Sequence, residues 1–310
     1  MFYTLDKTDI LILKKTNDFD MKFSWKTYAV FVFFLVWQGS IFANTKQAKS
    51  LFFRVDLPQN RVYFGHFETK KHKIKAIESK EMVAYNENDV VQVLKNELDS
   101  TLKNHRVLVF IHGMWGNRKL TLNDNVPELE TNYGSANDFI IHIIWESQPL
   151  NERRCRKNAL NSTSFVTPIL RGVLNLENTS SNLMCHSMGN YLFFELIDSL
   201  QGLPQPFEKI FLMAADVALP VFNKKLDILA CVGKTTQVYY NKKDFILFLS
   251  GIANGEKRLG KKGAKVDRDF IEITDCTKEK NYGFIGWLTQ HSYFKRCRVI
   301  RESLKKQINS

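Results

Sequence analysis

The sequence is poor in residues that break, kink or cross-link a chain. Seven prolines and fifteen glycines are spread over 310 residues with no polar low-complexity tract, which leaves no room for a long disordered linker. Nothing repeats at a fixed period, so a solenoid or propeller is excluded. The five cysteines (Cys155, Cys185, Cys231, Cys276 and Cys297) form no Cys-x-x-Cys pair and no His/Cys spacing suited to a metal. No metal and no organic cofactor is therefore implied. If the chain meets an oxidising compartment, Cys276 and Cys297 are the pair expected to join, since both lie in the C-terminal segment. Aromatic residues interleaved with basic ones are also missing. The formal charge of +12 falls in modest clusters at Arg153 to Lys157, Lys257 to Lys265 and Lys295 to Lys306, which match no nucleic-acid module. These read as solvated basic faces, with no nucleic-acid partner and with an anionic membrane surface as the charged partner still open.

Hydrophobic side chains make up 44% of the chain and aromatic ones 13%, enough for one large core. Ahead of that core, Lys22 and Lys26 precede the apolar run Tyr28 to Trp37, and Gln38-Gly-Ser-Ile-Phe-Ala43 supplies a small residue for a signal peptidase. The run falls short of the roughly 20 residues that span a bilayer. Residues 21–43 are read as a cleaved signal peptide, or else an N-terminal membrane anchor, residues 1–20 as an upstream extension, and residues 44–310 as one domain. Mature protein exported to the periplasm or beyond is expected to begin near Asn44, as N-terminal sequencing from a native host would test. An intact cytosolic chain beginning at Met1 would remove this expectation.

Within the domain, two strands flank the turn Asp56-Leu-Pro-Gln-Asn60, and Val90, Leu94, Leu98 and Leu102 then recur at helical spacing behind Asn88 and Asp89 as caps. Continuous apolar runs follow at Val107–Ile111, Phe139–Ile144, Asn182–Cys185, Lys209–Ala214, Gln237–Tyr240 and Phe270–Thr274. Helices are expected between them at Asn158 to Leu176, with Pro168 in or near a break, at Tyr191 to Leu200 and around Val221 to Cys231, and a closing helix at Ser292 to Lys306. Strands alternating with helices predict an α/β class: a mostly parallel central sheet covered on both faces, with chemistry at the carboxyl ends of its strands.

Three segments carry chemistry. In Asn182-Leu-Met-Cys-His-Ser-Met-Gly-Asn-Tyr191 a strand meets a helix at Ser187, and a turn that sharp tolerates only small residues two positions before and after the serine. Gly189 fits, and Cys185 stands where glycine is usual. Ser187 reads either as a nucleophile on an elbow or as an ordinary helix cap. The strand ending at Ile111 runs into His112-Gly-Met-Trp-Gly-Asn117, a loop suited to donating a backbone N–H to an oxyanion. Met114 is the candidate donor there, Met188 is the other, and His112 orders the loop. Of seven histidines only His291 follows Ser187, which makes it the one position open to a base in a fold that orders serine, acid and histidine along the chain. Two acids compete. Asp244 follows the later strand and is favoured; Asp216 follows the earlier one and can serve instead or cap a helix.

Taken together, Trp145-Glu-Ser147, His186-Ser-Met-Gly-Asn190, Ala214-Ala-Asp-Val217, Tyr239-Tyr-Asn-Lys-Lys-Asp244, Arg258-Leu-Gly260 and His291-Ser-Tyr-Phe294, in that order, resemble a bacterial family of alpha/beta-hydrolases described as esterase- or lipase-like. The likeness runs from about Val107 to Phe294. It implies a Ser187, Asp244 and His291 triad, acyl-enzyme cleavage of a small-molecule or lipid carboxylic ester, and no cofactor. A second reading keeps the fold without the chemistry, as an envelope-associated binding or scaffold protein.

Overall fold

The computed structural model describes residues 48–70, 73–82, 86–97, 104–114, 125–147, 151–279 and 290–309. The export segment expected at 21–43 and its upstream extension lie outside them, and no described helix is long and apolar enough to cross a membrane.

Among the described residues nine strands form a single sheet: β1 (Lys49–Asp56), β2 (Arg61–Lys70), β3 (Lys73–Met82), β4 (His105–Ile111), β5 (Phe139–Ile144), β6 (Thr179–His186), β7 (Phe207–Met213), β8 (Gly233–Tyr240) and β9 (Ile271–Asp275). Their order is β3-β2-β1-β5-β4-β6-β7-β8-β9. In that order every neighbouring pair from β1 to β9 is parallel, and β2 alone runs the other way, pairing antiparallel with both β1 and β3. The central strands carry continuous apolar stretches because helices cover both faces; every residue of β5 is buried. Such a mostly parallel sheet with helices on its faces is the α/β class read from the sequence.

One strand escaped that reading. β3, Lys-Ile-Lys-Ala-Ile-Glu-Ser-Lys-Glu-Met, lies at the sheet edge and carries lysine and glutamate on its open side, which discourages pairing with another chain. Opposite it, Gly65 sits at a bulge where an added Cβ would lie 2.0 Å from Ile77 O, so only glycine lets the two strands close.

The helices are α1 (Glu87–Lys95), α2 (Val126–Tyr133), α3 (Glu152–Leu174), α4 (Met188–Leu196), α5 (Leu219–Lys224), α6 (Leu226–Val232), α7 (Phe245–Asn254), α8 (Leu259–Lys262), α9 (Tyr293–Arg296) and α10 (Arg298–Asn309). Several differ from the sequence reading. The cap of α1 is Asn86, whose side chain accepts the amides of Asn88 and Asp89, rather than those two residues themselves. α3 runs unbroken through Pro168 and starts earlier than expected, because Cys155 and Ala159 extend its buried stripe into the charged first turns. The helix expected around Val221 to Cys231 breaks at Lys225, and the closing helix breaks at Cys297. Cys276 and Cys297 are buried in one apolar cluster but are thiols, not a disulfide. The Cys276 Sγ hydrogen points instead to Thr274 O, at 3.8 Å.

Candidate active site

Everything singled out for chemistry lies where β4, β6, β7 and β8 end. The turn out of β6 is strained: Ser187 has φ 53° and ψ −121°, a conformation that costs a non-glycine residue about 1–3 kcal/mol and persists only where its surroundings hold it. They do so through hydrogen bonds. Ser187 N donates to Met213 O at 3.0 Å, while Ser187 O accepts from Asn190 N at 3.0 Å and Asp216 N at 3.2 Å. Asn190 is the clamp. Its buried Nδ2 lies within 3.2 Å of Cys185 O, Ser187 O and Met213 O, tying β6, the turn and β7 together. The small-residue demand is also visible: a Cβ on Gly189 would meet Ile111 O at 2.4 Å and His112 O at 2.6 Å, because α4 enters directly against the end of β4. Cys185, where glycine is usual, is buried with its thiol pushed well above the ordinary range by burial, so it fills space without competing as a thiolate.

Ser187 precedes the first residue of α4, yet its side chain makes no capping bond. Its Oγ instead lies 2.8 Å from His291 Nε2, and His291 Nδ1 lies 2.8 Å from Asp244 Oδ2. A carboxylate can only accept, so Nδ1 carries the proton and Nε2 is left to accept from the serine hydroxyl. Asp244 is wholly buried and caps α7, with Oδ1 accepting from Leu247 N at 2.9 Å. Burial alone would lower the His291 pKa, but the adjacent Asp244 carboxylate outweighs it, Asp216 adds to the effect, and the net shift is upward. The segment after His291 is fastened by Tyr293, whose hydroxyl donates to Tyr239 O at 2.5 Å and accepts from Ala214 N at 2.8 Å.

Asp216, the alternative acid, has other partners. Its Oδ1 accepts from Ser250 Oγ at 2.7 Å, its Oδ2 takes Arg156 Nη2 at 3.2 Å, and Arg258 Nε pairs with Oδ1 at 3.2 Å. It lines the same cavity as Ser187 and His291 but lies in a buried ionic cluster with Arg156, Arg258 and Glu152. The sequence showed nothing of that cluster, because its members come from three distant segments.

The two candidate oxyanion donors, Met114 and Met188, line this cavity of about 270 Å³ together with Ser187, Asp216, Leu249 and His291. As the first residue of α4, Met188 has an amide with no acceptor inside the helix. Gly113 lets the loop close over the serine: its Cβ would fall 2.7 Å from Ser187 Cβ. His112 orders this loop. Its Nδ1–H donates to Gly113 O at 2.7 Å, its Nε2 accepts from Trp145 N at 3.3 Å, and Trp145 Nε1 returns a bond to His112 O at 2.9 Å. The two rings stack 5.5 Å apart, so Trp145 braces the His-Gly loop from the end of β5.

Three histidines around the site are held neutral by burial. The pKa of His112 falls to about 4, that of His142 to about 3, and that of His186 well below normal. An unfolded chain protonates these rings below pH ~6.5, whereas the native chain resists, so folding stability should fall as pH drops from 6.5 towards 4. His291 acts with the opposite sign: its contribution is present below pH ~6.5 and is lost as pH rises through its raised pKa. Denaturant melts at pH 7.5 and 5 should show the acid loss, and His142→Phe, which places an apolar ring between Phe67 and Phe110, should reduce it. A pH dependence unchanged by that substitution would assign the loss elsewhere.

Comparison with known proteins adds a family. The sequence model of the family described as "Alpha/beta hydrolase of unknown function (DUF900)" matches residues 86–300. No curated protein matches the chain. Among solved structures, the Francisella virulence factor BioJ is similar at 14% identity and a TM-score of 0.40, covering 98% of this chain and 96% of that one. Esterase B from Lactobacillus rhamnosis, in a structure with a tributyrin phosphonate inhibitor, is similar at 10% identity and 0.39, with 98% and 96% covered. An acylaminoacyl peptidase from Pyrococcus horikoshii is similar at 10% identity and 0.36, over 83% of this chain and 48% of that one.

Proposed function

We propose that this chain, which belongs to the alpha/beta-hydrolase family of unknown function matched over residues 86–300, cleaves a carboxylic ester through an acyl-enzyme formed on Ser187. The observation that carries the proposal is the relay of two 2.8 Å contacts from Ser187 Oγ through His291 to Asp244. His291 Nε2 takes the hydroxyl proton as Oγ attacks the carbonyl carbon. The carbonyl oxygen, now negative, accepts from the amides of Met114 and Met188. Collapse expels the alcohol, protonated by His291, and a water molecule activated by the same ring releases the acid. Asp244 holds the ring in the tautomer that accepts, and stabilises it while charged. The strained turn at Ser187 favours this reading over a scaffold, since a protein that only binds has no need to keep its serine at φ 53° beside an imidazole.

A fluorophosphonate probe tests the proposal, because it bonds to a serine only when that serine is activated. Folded native protein should label, and Ser187→Ala should not. Absence of labelling in well-folded native protein would favour the non-catalytic scaffold.

A further inference from the structure

Helix α7 is inside out. Its sequence, Phe-Ile-Leu-Phe-Leu-Ser-Gly-Ile-Ala-Asn, follows Asp244 directly and forms one wall of the catalytic cavity through Ile246 and Leu249. Residues one or two helical turns apart, at i, i+3, i+4 and i+7, share one face, and a globular protein normally turns that apolar stripe inward. Here the stripe is Phe245, Phe248, Leu249 and Ile252, and these are 50%, 44%, 47% and 64% exposed. The inward side carries Leu247 and Ser250. Of the seven large apolar side chains exposed among the described residues, these four adjoin one another while Leu160, Val221 and Val299 are scattered. Isolated exposed apolar residues need no explanation, but a contiguous stripe at the mouth of a cavity does.

The segments that flank the stripe in sequence are cationic. After the left-handed cap at Gly255 the chain turns back along the helix, with Glu256 N donating to Gly251 O at 3.1 Å. From 245 to 265 the only acidic residue is Glu256, while Lys257, Lys261, Lys262 and Lys265 follow it and Lys243 precedes the helix beside Lys242, which is paired with Asp275 at 2.8 Å. Lys261 Nζ lies 5.3 Å from the centre of the Phe248 ring, so positive charge touches the stripe itself. An apolar face bordered by lysines is the pattern of a helix that lies in the interface of a bilayer, its side chains among the acyl chains and its cations against anionic headgroups.

We infer that the outer face of α7 docks on an anionic lipid surface and sets the mouth of the catalytic cavity against it. Docking is independent of the chemistry at Ser187. That the cavity then receives the acyl chain of a lipid ester rests on the proposed function, with Leu249 as the side chain shared by the docking face and the cavity wall.

The test uses the full chain carrying Ser187→Ala, so that binding is read without turnover, and vesicles of phosphatidylcholine alone or mixed with phosphatidylglycerol. Binding should be tighter to the anionic vesicles. Phe248→Ser with Ile252→Ser should weaken it about tenfold or more, since each side chain loses a partial burial of apolar surface. Lys257→Glu with Lys262→Glu should weaken binding to anionic vesicles about as strongly and leave binding to neutral ones little changed. All four replaced side chains are exposed and outside the cavity lining, so the same pairs in the native Ser187 background should turn over a short water-soluble ester normally. Equal vesicle binding by parent and variants would overturn the inference, with the apolar run at Tyr28 to Trp37 then carrying any membrane affinity. A serine pair that dissolved a dimer while leaving vesicle affinity unchanged would also overturn it, by showing the stripe to be covered by a second copy. Intact vesicle binding by a native chain that hydrolyses no ester would remove the proposed function and leave the docking surface standing.

Discussion

Ser187→Ala is expected to reduce turnover of an activated ester by several orders of magnitude, on the order of a millionfold when nucleophile and base act as one unit. His291→Ala should fall equally low, and the double replacement little lower, because removing either member disables the same proton transfer. Such non-additivity is the signature to look for, since two independent structural effects would multiply. The two single variants should differ in stability. Ser187→Ala removes only a hydroxyl. His291→Ala deprives the wholly buried Asp244 carboxylate of its Nδ1–H donor, so a lower melting temperature is expected, and rates have to be normalised to folded protein. Because His291 must be neutral to act as base and Asp244 holds its pKa above the ordinary value, kcat/KM of the native chain should rise with pH through an ionisation above ~6.5. An activity that rises as pH falls, or a Ser187→Ala variant that retains native turnover, would show that a different group carries the reaction.

Strands and site were legible to different degrees, for physical reasons. The central strands announced themselves because burial on both faces favours a nearly continuous apolar run, which β5 shows with His142 as its one polar residue. Edge strand β3 was silent, since its sequence answers to solvent and to protection against pairing rather than to the core. Helix α7 was silent for a different reason: apolar residues at seven of its ten positions, Phe245 to Leu249, Ile252 and Ala253, read as a short apolar run that does not distinguish helix from strand. At the site, chain order alone suffices to propose Ser187 with His291, because no other histidine follows the serine. Chain order says nothing about Asn190, whose amide bridges three carbonyls contributed by separate segments. For the two acids it gave only a preference, for Asp244 as the one after the later strand. Both follow a strand at the same edge of the sheet, and what distinguishes them is side-chain direction. Asp244 turns toward His291, and Asp216 toward Arg156, Arg258 and Ser250.

That difference in partners sets opposite expectations for two isosteric substitutions. Asp244→Asn keeps the size of the side chain but offers Nδ1 an amide in place of a carboxylate, which favours the wrong imidazole tautomer and removes the charge that stabilises the imidazolium. In a comparable triad such a change lowers turnover about ten-thousandfold. The same loss of charge should move the His291 ionisation to lower pH, since the carboxylate is what raises it. Asp216→Asn should lower turnover by about tenfold or less, because Asp216 contacts neither Ser187 Oγ nor His291 Nδ1 and acts on the ring only as a more distant charge. Its larger effect should be on folding. Arg258 is 3% exposed and would lose the nearer of its two carboxylates, keeping only Glu256 at 3.9 Å, and breaking a buried pair from one side costs up to about 3–5 kcal/mol. Turnover measured on one activated ester near neutral pH, beside thermal melts followed by circular dichroism, separates the two patterns. A large loss of turnover in Asp216→Asn with near-native rates in Asp244→Asn would make Asp216 the acid and reduce Asp244 to the cap of α7.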